Sequence, residues 1–133
     1  MLIIDTLLGV AKTLFGLRGE LKKAKVDRRG RIATYFESIS KCLADVSTSL
    51  KDGQVPHGKC AEMKTYAEAL PAAISHEIGY SEARRLSEEL GAAYQVEALL
   101  SELSDSNQER ELAKLDEAAG IFQALANTIR ASV

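Results

Sequence analysis

The spacing of the apolar residues constrains this chain more than any other feature. From Ile32 onward they fall at Ile32, Phe36, Ile39, Leu43, Val46 and Leu50, in alternating steps of four and three. Such steps line up on one stripe of an α-helix but scatter over both faces of a strand. The rhythm returns at Cys60, Met63, Ala67, Leu70, Ile74 and Ile78, then at Ala83, Leu86, Leu90, Ala93, Leu100 and Leu103. It returns again at Leu112, Leu115, Ala119, Phe122, Ala126 and Ile129. Strand-like alternation and internal repeats are both missing, so the expected fold class is all-α. A helix with one apolar stripe must cover it against another helix, and short links favour antiparallel neighbours. The expected architecture is an up-and-down bundle of four main helices, with an amphipathic N-terminal helix as one of them or as a brace.

Local signals set the boundaries. The first helix is predicted from Leu2 to Lys25 and the second from Asp27 to Leu50. KDGQVP supplies a turn, and Pro56 suits the first position of a third helix. Pro71 lies inside that helix and is predicted to kink or split it, because proline removes a hydrogen bond and clashes one turn back. Ser81 reads as an N-cap after IGYS, and Ser106 with Glu109 as a capping box. At 133 residues the chain is expected to form one domain, a helix over 1–25 and a bundle body over 26–133. A chain of this length buries roughly 70% of its unfolded surface, enough to fold without a metal or disulfide.

Catalytic chemistry finds no foothold in these residues. Cys42, Cys60, His57 and His76 are the only soft ligands, and they lack paired CxxC or HxxxH spacing. The two cysteines fall on or near apolar seams, where free cysteine behaves as a small hydrophobe. Their small number makes a reducing cytosol the expected compartment. No strand precedes a glycine-rich phosphate loop. Tyr35, Tyr66, Tyr80 and Tyr94 are scattered. The stretch ARRLSEELGAAYQVEALLSEL mimics a helix-turn-helix, but its second half offers Glu97 and Glu102 and no cation. Carboxylates there are repelled by phosphates, which argues against DNA, and the expected structure is a helix weakened at Gly91. No catalytic, cofactor or metal site is read, and no nucleic acid is expected as partner.

The N-terminus is different. On a helical wheel Ile3, Ile4, Leu7, Leu8, Val10, Ala11, Leu14, Phe15 and Leu17 fill one half. The other half holds Asp5, Thr6, Gly9, Lys12, Thr13, Gly16 and Gly19. Glycines weaken a helix in water by roughly 1 kcal/mol each, whereas small residues let helices approach closely in lipid. A basic run follows at once: Arg18, Lys22, Lys23, Lys25, Arg28, Arg29 and Arg31. Residues 1–31 carry eight Lys/Arg against three Asp/Glu, and residues 32–133 carry nine against sixteen. Clusters of four to eight cations beside a membrane-active helix attract anionic lipid at about 1 kcal/mol per cation. These cations follow the apolar stretch, the reverse of a secretory leader. No apolar run reaches the ~20 residues of a spanning helix.

The stretches LIIDTLLGVAKTLFGL, KKAKVDRRGRI and VPHGKCAEMKTYAEAL together resemble the layout of HeLo/Bell-type membrane-active helical bundles. That group includes the N-terminal executioner bundle of the mixed-lineage-kinase-like necroptosis proteins. The resemblance implies a cell-death or defence effector, held inactive in the cytoplasm and recruited to the inner face of the plasma membrane. Carried onto this chain, it makes Ile3, Ile4, Leu7, Leu8, Leu14 and Phe15 the membrane-inserting positions and Gly9 and Gly16 a helix-packing strip. The basic run would hold phospholipid head groups. An anionic phospholipid membrane is the implied partner, with a homo-oligomer as the active form. The chain ends ALANTIRASV, without the amyloid-type motif frequent in bacterial members, so the trigger is expected in a partner or in another segment. A second expectation, from a different class, is a cytosolic protein-interaction module with its first helix buried.

Overall fold

The first apolar segment forms helix α1 (Ile3–Gly16). The computed structural model describes residues 3–91, 95–105 and 107–131. Every element among them is helical: α2 (Arg18–Leu21), α3 (Val26–Lys51), α4 (His57–Ile78), α5 (Tyr80–Gly91), α6 (Val96–Asp105) and α7 (Gln108–Ala131) follow α1. Leu2, Ala93, Tyr94 and Ser106, named above as seam, cap or aromatic positions, lie outside the described residues.

The single helix predicted to run as far as Lys25 is divided. Leu17 leaves helical geometry at φ −94° and ψ 9°. Arg18 Nη1 donates to the Phe15 carbonyl oxygen at 2.9 Å, satisfying one acceptor that the end of α1 leaves open. The break turns Leu21 into full burial. Lys25 lies outside any helix, extended at ψ 155°, as the N-cap of α3. A continuous helix would have left Leu21 alone on a basic face, so its burial explains the break.

Pro71 does not split α4, which is continuous from His57 to Ile78. Proline deprives the Ala67 carbonyl of its usual amide partner. Ser87 Oγ of α5 donates to that oxygen at 2.5 Å, and Tyr35 Oη of α3 donates to the neighbouring Tyr66 carbonyl at 2.5 Å. Helices on either side thus satisfy the carbonyls that a proline turn loosens. Gly79, at φ +89°, makes the sharp turn into α5, which begins at Tyr80 and not after a Ser81 cap. The residue capping α7 is Asn107, whose Oδ1 accepts from the Arg110 amide at 3.2 Å. The helix expected to be weakened at Gly91 is two helices, α5 ending there and α6 beginning at Val96.

Helix α3 is the hub, packing on α7 along one side and on α4 along another. Lys51 pairs with Asp116 and Glu37 with Arg130, so α3 and α7 run antiparallel. Arg28 meets Glu77, and Cys42 Sγ donates to the Lys59 carbonyl, so α3 and α4 are antiparallel too. Asp5 meets Lys114, while Phe15 and Ala124 line one cleft, which makes α1 parallel to α7. The core centres on Phe36 and Phe122, their rings 6.0 Å apart and tilted by 30°. Ile39, Leu43, Met63, Ala67 and Leu115 are buried around them, as the spacing predicts. Leu100, expected among them, is half-buried at the edge on α6. Both cysteines are buried, and loss of hydration pushes the Cys42 thiol up to about 12. No helix among the described residues is long and apolar enough to cross a membrane.

Candidate functional site

The residues read as membrane-inserting are in the core of this structure. Ile4 and Leu7 are each 1% exposed and Leu14 is sealed off entirely, with Ile3 and Leu8 also buried. Phe15 alone is half-buried, carrying the Arg18 guanidinium 4.6 Å above its ring. Their face meets α7 above all, and α5 and α6 at the sides. The opposite face looks outward. Gly9 and Gly16 are exposed, and a Cβ added at either would meet nothing within 4 Å. Both positions therefore lie open on the outer face of α1, with no neighbour among the described residues against them.

Polar groups fix α1 at its start. The amide of Ile3 donates to both carboxylate oxygens of Glu102, at 2.7 and 2.9 Å, so a side chain of α6 caps a helix 99 residues earlier. A carboxylate there also complements the positive end of the helix dipole. Two residues on, Asp5 Oδ1 accepts from Lys114 Nζ at 2.9 Å, and Lys114 also reaches Glu111 at 3.2 Å. Asp5 first and Glu111 second hold the Lys114 ammonium above its ordinary pKa. Sequence reading missed this latch. Glu102 had figured only as a carboxylate unsuited to DNA, and pairings across a hundred residues leave no local signal.

The cations named as head-group ligands divide into two groups. Arg28 is structural. Its Nε lies 2.7 Å from Glu77, its Nη2 donates to the Ala73 carbonyl at 2.8 Å, and the Glu77 side chain is only 6% exposed. Lys23 pairs with Glu20 on an exposed turn. Arg18, Lys22, Lys25, Arg29 and Arg31 make no ion pair among the described residues. The connection through α2 and the first turns of α3 gathers them at one end of the molecule. Arg31 and Arg28 rim a cleft of about 270 Å³ floored by Ile32, Ala69, Ala72 and Ala73. A second cleft, of about 430 Å³, lies between α1 and α7, lined by Lys12, Phe15, Glu117, Gly120, Ile121 and Ala124.

The cations without an ion pair among the described residues give this end of the molecule an attraction for anionic groups, and the Glu102 and Lys114 contacts hold an apolar helix in the core. Among the described residues there is no cluster of His, Cys, Asp or Glu able to hold a metal ion. Comparison with family models, with curated proteins and with solved structures finds no match to this chain.

Proposed function

We propose that this protein is a membrane-targeting effector of cell death or defence, recruited from the cytoplasm to the anionic inner face of the plasma membrane. Its basic end binds phospholipid head groups, and α1 permeabilises the bilayer once it leaves the body. The observation that carries this reading is the set Arg18, Lys22, Lys25, Arg29 and Arg31, five cations without an ion pair among the described residues, directly following a buried helix of Ile and Leu. Within the all-helical fold, α3, α4, α5 with α6, and α7 serve as the four main helices of an up-and-down body, and α1 as the brace they restrain. The outward strip of Gly9 and Gly16 suits association of several α1 copies in lipid. At 14 residues α1 reaches ~21 Å against a hydrocarbon core of ~30 Å, so a single copy lies in the interface, thins the bilayer or associates with other copies.

Dye release from phosphatidylserine-containing vesicles tests the reading. Lys114→Ala, which removes the cation from the α1 latch, is expected to release dye faster than the parent chain. If neither protein releases dye, and neither sediments with anionic vesicles, the membrane reading fails.

A second reading has its own support. The burial of Ile3, Ile4, Leu7, Leu8 and Leu14 in the core suits a protein-interaction module in which α1 never leaves. Sustained protection of α1 amides on anionic vesicles, with no leakage, would favour it.

A further inference from the structure

Three large apolar residues are well exposed among the described residues: Val26 at 71%, Tyr80 at 62% and Val55 at 45%. Two of them share the basic end. The Arg28–Glu77 bridge ties the first turn of α3 to the last turn of α4. Val26 stands two residues before one partner, and Tyr80 three residues after the other. The Gly79 turn at φ +89° carries Tyr80 out of the body at the head of α5. Lys22, Lys25 and Arg29 belong to the same end and make no ion pair among the described residues. Carboxylates nearby are mostly engaged, with Glu20 on Lys23, Glu77 on Arg28 and Glu82 on Arg85. Asp27 remains among the cations.

We propose that this end is an interfacial docking surface for an anionic bilayer, with Tyr80 and Val26 entering the head-group layer. The inference rests on the membrane reading above and gives it an orientation and two contact residues. A phenol with an apolar body and a polar tip is suited to the membrane–water boundary. Val26 at the same end adds apolar area, and the cations supply long-range attraction to anionic head groups. One tyrosine and one valine make a poor platform for nucleic acid, which relies on successive stacked bases. The surface needs no movement of α1, so docking precedes release.

The chain contains no tryptophan, so Tyr80→Trp installs a single fluorescent reporter at an exposed position. With vesicles of phosphatidylcholine and about one third phosphatidylserine, its emission is expected to shift to the blue and to be quenched by bromine-labelled lipid. Pure phosphatidylcholine vesicles should leave it unchanged. Changing Tyr80 and Val26 together to Ser is expected to weaken partitioning onto anionic vesicles about ten-fold. Val55→Ser, at the other end of α3, should leave partitioning unaltered. If Tyr80→Trp sediments with anionic vesicles but its emission does not move, the docking surface is wrong and the membrane reading survives. If no protein sediments with anionic vesicles, both fail. A shift produced by single-stranded nucleic acid or an acidic protein, but not by vesicles, reassigns the surface and overturns the proposal.

Discussion

Ala67 bears the consequence of a proline four residues further along. Its carbonyl has lost its helical donor and takes the Ser87 hydroxyl instead. Ser87→Ala is therefore expected to cost about 1–2 kcal/mol, because a polar atom in a packed interface loses its partner. In a Pro71→Ala background the amide of residue 71 can serve Ala67 again, and the same change should cost under about 0.5 kcal/mol. Urea unfolding of the four proteins of this cycle measures the difference. Leu43, 1% exposed between α3 and its neighbours, should cost about 2–5 kcal/mol as Leu43→Ala through lost burial plus a cavity. Tyr35 gives a pH dependence. Burial first, and the neighbouring Tyr66 second, raise its phenol above the ordinary value of 10.0. The folded state thus favours the neutral form, so this contribution is complete below about pH 10 and is lost as pH rises further. The raised Cys42 thiol acts in the same direction, starting from its ordinary value of 9.0. Stability should fall as pH rises from about 9, and fall less in Tyr35→Phe.

At the scale of the element, α1 sets the energetics. Burying its large aliphatic side chains, six of them from Ile3 to Leu14, is worth roughly 1.5–3 kcal/mol each. The sum rivals the whole stability of a typical domain, about 5–15 kcal/mol. Deleting residues 1–16, or placing Glu at Leu7, would therefore unfold the body as readily as disarm it. Variants of the latch avoid that confusion. Glu102→Gln and Lys114→Ala are each expected to accelerate amide exchange in α1 more than in α3. Burial of α1's apolar face stood in the sequence only as one of two expectations, but the existence of α1 and of that face was legible from nine apolar residues on half a wheel. The break at Leu17 was not. It comes from the body's demand for Leu21, and nothing in GLRGEL announces it. Likewise Pro71 read locally as a kink or a split, and only Ser87 and Tyr35 on other helices show how α4 passes through it unsplit.

Across the whole molecule, charge separates from burial. The basic end was legible as composition, since residues 18–31 concentrate the cations. Which of them are free was not, because that depends on Glu77, which arrives at Arg28 from forty-nine residues away. The distinction is measurable. Changing Lys22, Lys25, Arg29 and Arg31 to Gln should abolish sedimentation with anionic vesicles and leave the unfolding midpoint nearly unchanged. Arg28→Gln should do the opposite, leaving the nearly buried Glu77 unpaired at a cost of about 3 kcal/mol. Salt should mimic the first set, since the Debye length falls from ~10 Å at 0.1 M to ~3 Å at 1 M. The position of the α1 latch has a further consequence, during synthesis. Asp5 waits for Lys114, 109 residues later. At 5–20 residues per second the ribosome takes about 5–20 s to supply it. Throughout that interval the nascent chain carries an apolar segment that lacks its main partner, α7, followed by its basic run, in the company of chaperones and membranes. Messages truncated before α7 would leave it without that partner permanently, so such fragments should associate with membranes or aggregate in cells that tolerate the complete chain.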